Sequence, residues 1–218
     1  MKKERVHMLV ESAMLLTIAA VLELVSKFII PEMPFGGQLT LASMLPLLLI
    51  SYRYGVKWGL FCGMTYSAIQ MALGIKTVTA AFQPGYFGDE AMLINAIIMI
   101  VFDYFLAYTV LGLGGIFRNK IKNPGLSLMC GGLVATFLRY VVHILSGYIL
   151  FSGWAEWFFT QDGFPGWGAA LVENVSPGAL GLLYSIVYNG MYMLPEIIIT
   201  AVAAVLISKV PNITKKVR

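Results

Sequence analysis

Charge is scarce in this chain. Of 218 residues only 15 are basic and 11 acidic, so charged side chains make up 12%, where a soluble domain has about 25%. Histidine is almost missing: His7 and His143 are the whole supply. That excludes an HExxH motif and every multi-histidine metal site, and no metal or cofactor is expected. No GxxxxGK followed by Ser or Thr occurs, so the chain does not hold ATP in a phosphate loop. Too few basic residues are present to build a broad face for nucleic acid. The two cysteines, Cys62 and Cys130, lie inside apolar runs and read as buried free thiols. What fills the chain is apolar: 59% of residues are hydrophobic and the mean hydropathy is +0.81. A soluble globule and a disordered chain are thereby excluded, and lipid is the expected solvent. At about 20 residues per span, the length allows at most about seven spans and no sizeable soluble domain.

Six apolar segments stand out, at residues 6–30, 39–52, 56–73, 92–117, 126–151 and 178–210. The second is short and is expected to begin inside a re-entrant loop. The first follows Lys2, Lys3 and Arg5 as a signal peptide would, but it runs on past Glu11, Glu23 and Lys27 and reads as a retained helix. The expected fold is therefore an all-α integral membrane protein with six transmembrane helices in a single domain over residues 1–218. Charge sets its direction. Twelve of the 15 basic residues fall before span one, between spans two and three, between four and five, and after six. The positive-inside rule makes that side cytoplasmic, with both termini on it. The exterior stretch 152–177 is instead aromatic, holding Trp154, Trp157, Phe158, Phe159, Phe164 and Trp167. It reads as an interfacial belt or as a wall over an outward-facing pocket.

An ionisable group in a bilayer core costs about 2.5–3.5 kcal/mol on insertion scales, so each one inside a span is a candidate functional residue. The candidates are Glu11 and Glu23, Asp103, Arg139 and His143, and Glu196. Arg139 has a structural alternative, pairing with Asp103 or Glu196 to hold two helices in register. At about 1.5 Å of rise per residue, Asp103 lies about 16 Å from the outer end of its span, His143 about 12 Å, and Tyr184 and Asn189 about 9 and 16 Å. These four share the outer half of the bundle. Spacing adds three stripes: Arg139, His143 and Ser146–Gly147; Tyr184, Tyr188 and Tyr192, with Asn189 beside them; and Tyr66 with Gln70. A carboxylate among aromatic rings suits an organic cation, because ring faces attract positive charge and the carboxylate accepts hydrogen bonds from amines. His143 and Asn189 add donors and acceptors for a heteroaromatic rim. Thiamine is such a ligand, and so are choline-like and guanidinium compounds.

At these residues the sequence resembles a known family, the thiamine-specific substrate-binding subunits (S components) of energy-coupling factor transporters, called the ThiT family. Four pieces carry the resemblance: Phe35-Gly36-Gly37 leading into residues 39–46, Asp103-Tyr104 with residues 112–117 after it, RYVVHILSG at 139–147, and YSIVYNG at 184–190. The resemblance implies thiamine binding without catalysis. It assigns ligand contacts to Asp103, Tyr104, His143, Tyr184 and Asn189, and Tyr66 and Tyr188 are grouped with them on the spacing above. The family stacks the ligand on a tryptophan after the fifth helix. Here Phe151 holds the aligned position, and Trp154 and Trp157 follow it as alternatives. Phe35 and Gln38 fall in the first exterior loop, which the family uses as a gate. The resemblance also implies partners: membrane lipid around the chain, a membrane coupling (T) subunit and two cytoplasmic ATPase subunits. Ala13, Thr17 and Ala20 form a small-residue face suited to such a contact, and Gly59 with Gly63 is an alternative.

Three other readings compete. One is an S component for another vitamin. Another is an intramembrane enzyme using His143 and Ser146, which lacks any accompanying oxyanion motif. The last is a self-sufficient proton-coupled transporter relaying through Glu11, Glu23 and Glu196, which lacks an inverted repeat.

Overall fold

The structure is a computed structural model describing residues 2–33, 37–87, 92–164, 166–210 and 212–216. Among these residues every regular element is a helix. The helices are α1 (Lys2–Ile29), α2 (Leu45–Tyr54), α3 (Val56–Leu73), α4 (Ile75–Ala80), α5 (Met92–Gly115), α6 (Pro124–Phe151), α7 (Ala155–Phe159), α8 (Trp167–Asn174) and α9 (Pro177–Ile207). Four of them are long and apolar enough to cross a membrane: α1, α5, α6 with its continuation to Phe159, and α9.

The second apolar segment behaves differently from the others. Its first residues are not helical, Ala42 turns through a positive φ of 58°, and α2 is only 10 residues long. Ten residues rise about 15 Å, half a hydrocarbon core. Such a stub is stable at depth because protein surrounds it: every residue from Pro46 to Tyr52 is buried. Non-helical backbone at that depth needs the same cover.

α5 is wound in several ways. It runs α-helical from Met92 to Met99, π-helical from Ile100 to Leu106, and ends as a 3-10 helix from Val110 to Gly115. The glycines of that last turn let neighbours approach at backbone distance. Ser51 of α2 accepts a hydrogen bond from the Gly115 amide at 2.9 Å and donates to the Gly112 carbonyl, so it partners one donor and one acceptor of the tightened turn. Gly131 of α6 packs directly on Gly114, whose carbonyl carbon would lie 2.8 Å from any added Cβ.

The ends of the chain meet. Arg53, at the end of α2, pairs with Glu11 of α1 at 2.5 Å and donates to the carbonyls of Asn212 and Ile213 at 2.8 and 2.6 Å. His7 and Tyr54 also reach Glu11, at 3.2 and 2.5 Å. Both termini therefore lie at one end of the bundle. Glu11 is an ion-pair anchor there, far from any relay along the spans.

Gly131→Ala tests the α5–α6 contact. A methyl group there meets main chain, which cannot rotate away, and overpacking of this kind costs about 1–3 kcal/mol. Thermal unfolding in detergent should show a lowered midpoint, whereas Gly153→Ala, with open space around it, should not.

Candidate functional site

A polar cavity opens at the end of the bundle away from the termini, among α1, α3, α5, α6 and α9 and the segment before α2. The π winding of α5 builds one wall. Met99, Asp103, Tyr104 and Tyr108 all border the cavity, a spacing of four, one and four. An α-helix would spread these over two faces. A π-helix, bonded i to i+5 with about 4.4 residues per turn, gathers them on one.

Asp103 is the centre. Its Oδ1 lies 2.9 Å from His143 Nδ1, and its Oδ2 accepts from the Ser146 hydroxyl at 2.6 Å. The other imidazole nitrogen, Nε2, receives Arg139 Nε at 3.2 Å. Guanidinium only donates, so Nε2 carries no proton and the imidazole is neutral with its hydrogen on Nδ1. Asp103 then accepts both of its bonds, one on each carboxylate oxygen. It is 24% exposed, toward the cavity. Arg139 in turn donates to the Tyr108 hydroxyl at 3.2 Å and stacks 4.4 Å above that ring. It therefore reaches Asp103 only through His143, and holds α5 and α6 together by way of Tyr108.

The α9 wall carries Tyr184, Tyr188, Asn189 and Tyr192. Phe158, in α7, packs on Tyr184 and Tyr188 with ring centroids 5.1 and 6.0 Å apart. Asn189 donates to the carbonyls of His143 and Ser185 at 3.2 and 2.9 Å, and accepts from Tyr192 at 2.7 Å.

The segment before α2 is tied down by polar side chains. Gln38 donates to the carbonyls of Ile30 and Ser26, and the Leu41 amide donates to Ser26 Oγ at 2.9 Å. Below it runs a chain from Glu23 through Ser43 and Thr40 to Glu196. Ser43 donates to Glu23 at 3.0 Å, Thr40 donates to Glu196, and the two hydroxyl oxygens are 2.6 Å apart. The two hydroxyls thus bridge a carboxyl of α1 to one of α9.

The structure brings together most of the expected residues. Asp103, Tyr104, His143, Tyr184, Tyr188, Asn189 and Gln38 border the cavity. Tyr66 stands one layer back, accepting from the bordering Gln70 at 2.9 Å. Phe35 lies outside the described residues. Trp154 and Trp157 are 42% and 43% exposed, meet each other at 6.0 Å, and are not among the bordering residues. Phe151 is, with its ring 5.5 Å from Phe87. The expectation that one of those tryptophans stacks on a ligand therefore has no support in their placement, because the chain past Phe151 turns outward and carries them to the surface. Tyr108, Arg139, Ser146 and Tyr192 belong to the site although the expected contacts omitted them. Three of the four stand in the stripes read from the sequence. Tyr108 does not, because only the π winding turns it inward.

Of the small-residue faces, Ala13 and Thr17 are exposed on α1 and Ala20 is partly buried. Gly59 and Gly63 are consumed internally, against α5.

Comparison with known proteins identifies relatives of the chain. The family described as thiamine transporter protein (Thia_YuaJ) matches residues 9–215. The chain belongs to that family. The thiamine transporter ThiT of Bacillus subtilis (strain 168) is 28% identical over 208 residues, which cover 91% of this chain and 88% of that protein. A solved structure of ThiT from Listeria monocytogenes has the same fold, with a TM-score of 0.62 at 21% identity, covering 97% of this chain and 99% of that one. Family membership and the long apolar helices make the chain a multi-pass protein of the cell membrane. It is a transporter and not an enzyme. Ser146 fits that conclusion, since its hydroxyl points at Asp103 and not at the imidazole.

Glu196 provides a test of this bridge. Glu196→Leu strands Thr40 and should cost about 1–3 kcal/mol in thermal unfolding. Glu196→Gln keeps a side-chain oxygen that accepts from Thr40 and should cost less than half as much. Equal losses would mean that the Thr40 contact contributes nothing.

Proposed function

We propose that the chain is the thiamine-binding subunit of an energy-coupling factor importer. In this reading it captures thiamine from outside and passes it inward with a membrane coupling (T) subunit and two cytoplasmic ATPases. The observation that carries the reading is the Asp103 carboxylate in a cavity it shares with the rings of Tyr104, Tyr184, Tyr188 and Phe151. A partly buried carboxylate bonded only to an imidazole and a hydroxyl attracts a positively charged ligand, and aromatic faces add to that attraction. Asp103, Tyr104, His143, Tyr184, Tyr188, Asn189 and Gln38 are the proposed contacts. Phe151 takes the stacking role in place of Trp154 or Trp157.

The arrangement in the membrane follows from the same reading. The chain is one domain of six spans, with α2 and its preceding segment as the short second one. Its basic end and both termini face the cytoplasm. The cavity then opens outward, on the side where substrate is captured. Ala13 and Thr17, exposed on α1, and Ala20 beside them are proposed as the contact for the coupling subunit. The proton-coupled alternative loses ground, because Glu11 is paired with Arg53, and Glu23 and Glu196 are tied to Ser43 and Thr40.

Isothermal titration calorimetry on the purified chain tests the reading. Thiamine should bind at submicromolar concentration, and riboflavin and biotin should neither bind nor compete. Asp103→Asn should weaken thiamine by about 2–4 kcal/mol, since it leaves a buried cation without its partner charge. Absence of thiamine binding at micromolar concentration would refute the assignment.

A further inference from the structure

Asn189 is held so firmly that its remaining hydrogen-bonding capacity can be read off. Its amide nitrogen faces two main-chain carbonyls, which accept only, so the amide cannot flip. Its oxygen accordingly faces Tyr192, which donates to it at 2.7 Å. An amide oxygen has two lone pairs, and Tyr192 occupies one. The second is left over, on a residue that borders the cavity.

Tyr192 is itself confined. Its ring meets His143 edge to face with centroids 6.1 Å apart. On another side it lies against Gly37, where an added Cβ would come within 2.5 and 2.8 Å of two ring carbons. Gly37 has a φ of +86°, a conformation open to glycine at no steric cost. The bare backbone of Gly37 therefore rests on the ring, and the ring aims the hydroxyl at Asn189. The order of contact is Gly37, Tyr192, Asn189, ligand.

We propose that Tyr192 is a specificity-determining positioning residue: it transmits the placement of the segment at Gly37 to Asn189 and fixes there an acceptor for an amino group on a heteroaromatic ligand. The proposal rests on the thiamine reading above and deepens it. Thiamine carries an amino group on its pyrimidine, a donor that this lone pair accepts. Oxythiamine carries an oxo group at that place, an acceptor that meets the same lone pair with repulsion. The site should therefore separate two ligands of the same charge and nearly the same shape. A hydrogen-bonding site rejects the mismatched analogue more strongly than an apolar pocket can.

The experiment compares dissociation constants for thiamine and oxythiamine on the purified full chain. Wild type should prefer thiamine. Tyr192→Phe keeps the ring and removes the donor, and should weaken thiamine about five- to tenfold, the worth of one buried neutral hydrogen bond. Oxythiamine should stay within about twofold, so the preference collapses. Gly37→Ala, whose added methyl group presses on the Tyr192 ring at the cavity border, should lower the same ratio. In an Asn189→Ala background, Tyr192→Phe should change the ratio no further. Equal losses for both ligands, or a Tyr192→Phe effect on the ratio that persists without Asn189, overturns the proposal while leaving the thiamine assignment intact. Failure of wild type to bind thiamine overturns both.

Discussion

The structure depends on a charge that has nowhere else to go. Asp103 sits well inside a bundle whose surroundings are hydrocarbon, where an unmatched carboxylate costs several kcal/mol. Solvation must come from the protein, and it comes from one helix, α6, through His143 and Ser146. These two residues are three positions apart, so they form one face and bind the two oxygens of one carboxylate. Much of the local architecture serves that match. α5 gives up regular winding over seven residues around Asp103, and its glycine-rich end lets α6 approach to backbone contact through Gly131 and Gly114. The neighbouring α9 supplies Asn189, whose bond to the His143 carbonyl ties it to the same face.

Much of this was legible in the sequence. Asp103 was legible from its depth, and His143, Tyr184 and Asn189 from depth and helical spacing, since α6 and α9 are regular helices and regular helices obey the spacing rule. Tyr108 was not, since the rule assumes 3.6 residues per turn and the π segment breaks it. Apolar length marks the second span as short, with its start inside a re-entrant loop, but does not show what holds that start in place. Residues 39–44 are as apolar as a helix requires, yet they turn sharply at Ala42 and bind through Thr40 and Ser43 to carboxyls on α1 and α9. Hydropathy records how a segment partitions into lipid and is silent on which hydroxyls need partners. The exposed Trp154 and Trp157 show the same limit, because composition identifies an aromatic stretch without saying which rings turn inward.

The remaining walls differ in how they are held. The α6–α9 wall is fixed by interior packing and main-chain hydrogen bonds. The segment carrying Gly37 to Ser43 is held by side-chain hydrogen bonds to Ser26, Glu23 and Glu196. Each bond of that kind contributes about 1 kcal/mol, against the larger and collective stability of helix packing. Local stability is therefore lowest over the cavity and highest beneath it, the distribution expected of a site that takes up a ligand without rebuilding its floor.

Arg139 looks misplaced in a pocket for a cation, and its contacts explain why it is not. The guanidinium lies on the far side of His143 from Asp103, and its charge is spread over the Tyr108 ring. An ammonium would match neither contact as well, because stacking and a directed N–H both need a planar group. Its donation to Nε2 occupies the position at which His143 would otherwise take up a second proton. A doubly protonated imidazole against Asp103 would neutralise the carboxylate from within, and the pocket would lose its attraction for an external cation. Arg139 thus holds His143 in the tautomer that donates to Asp103, while its own charge is turned toward the Tyr108 ring.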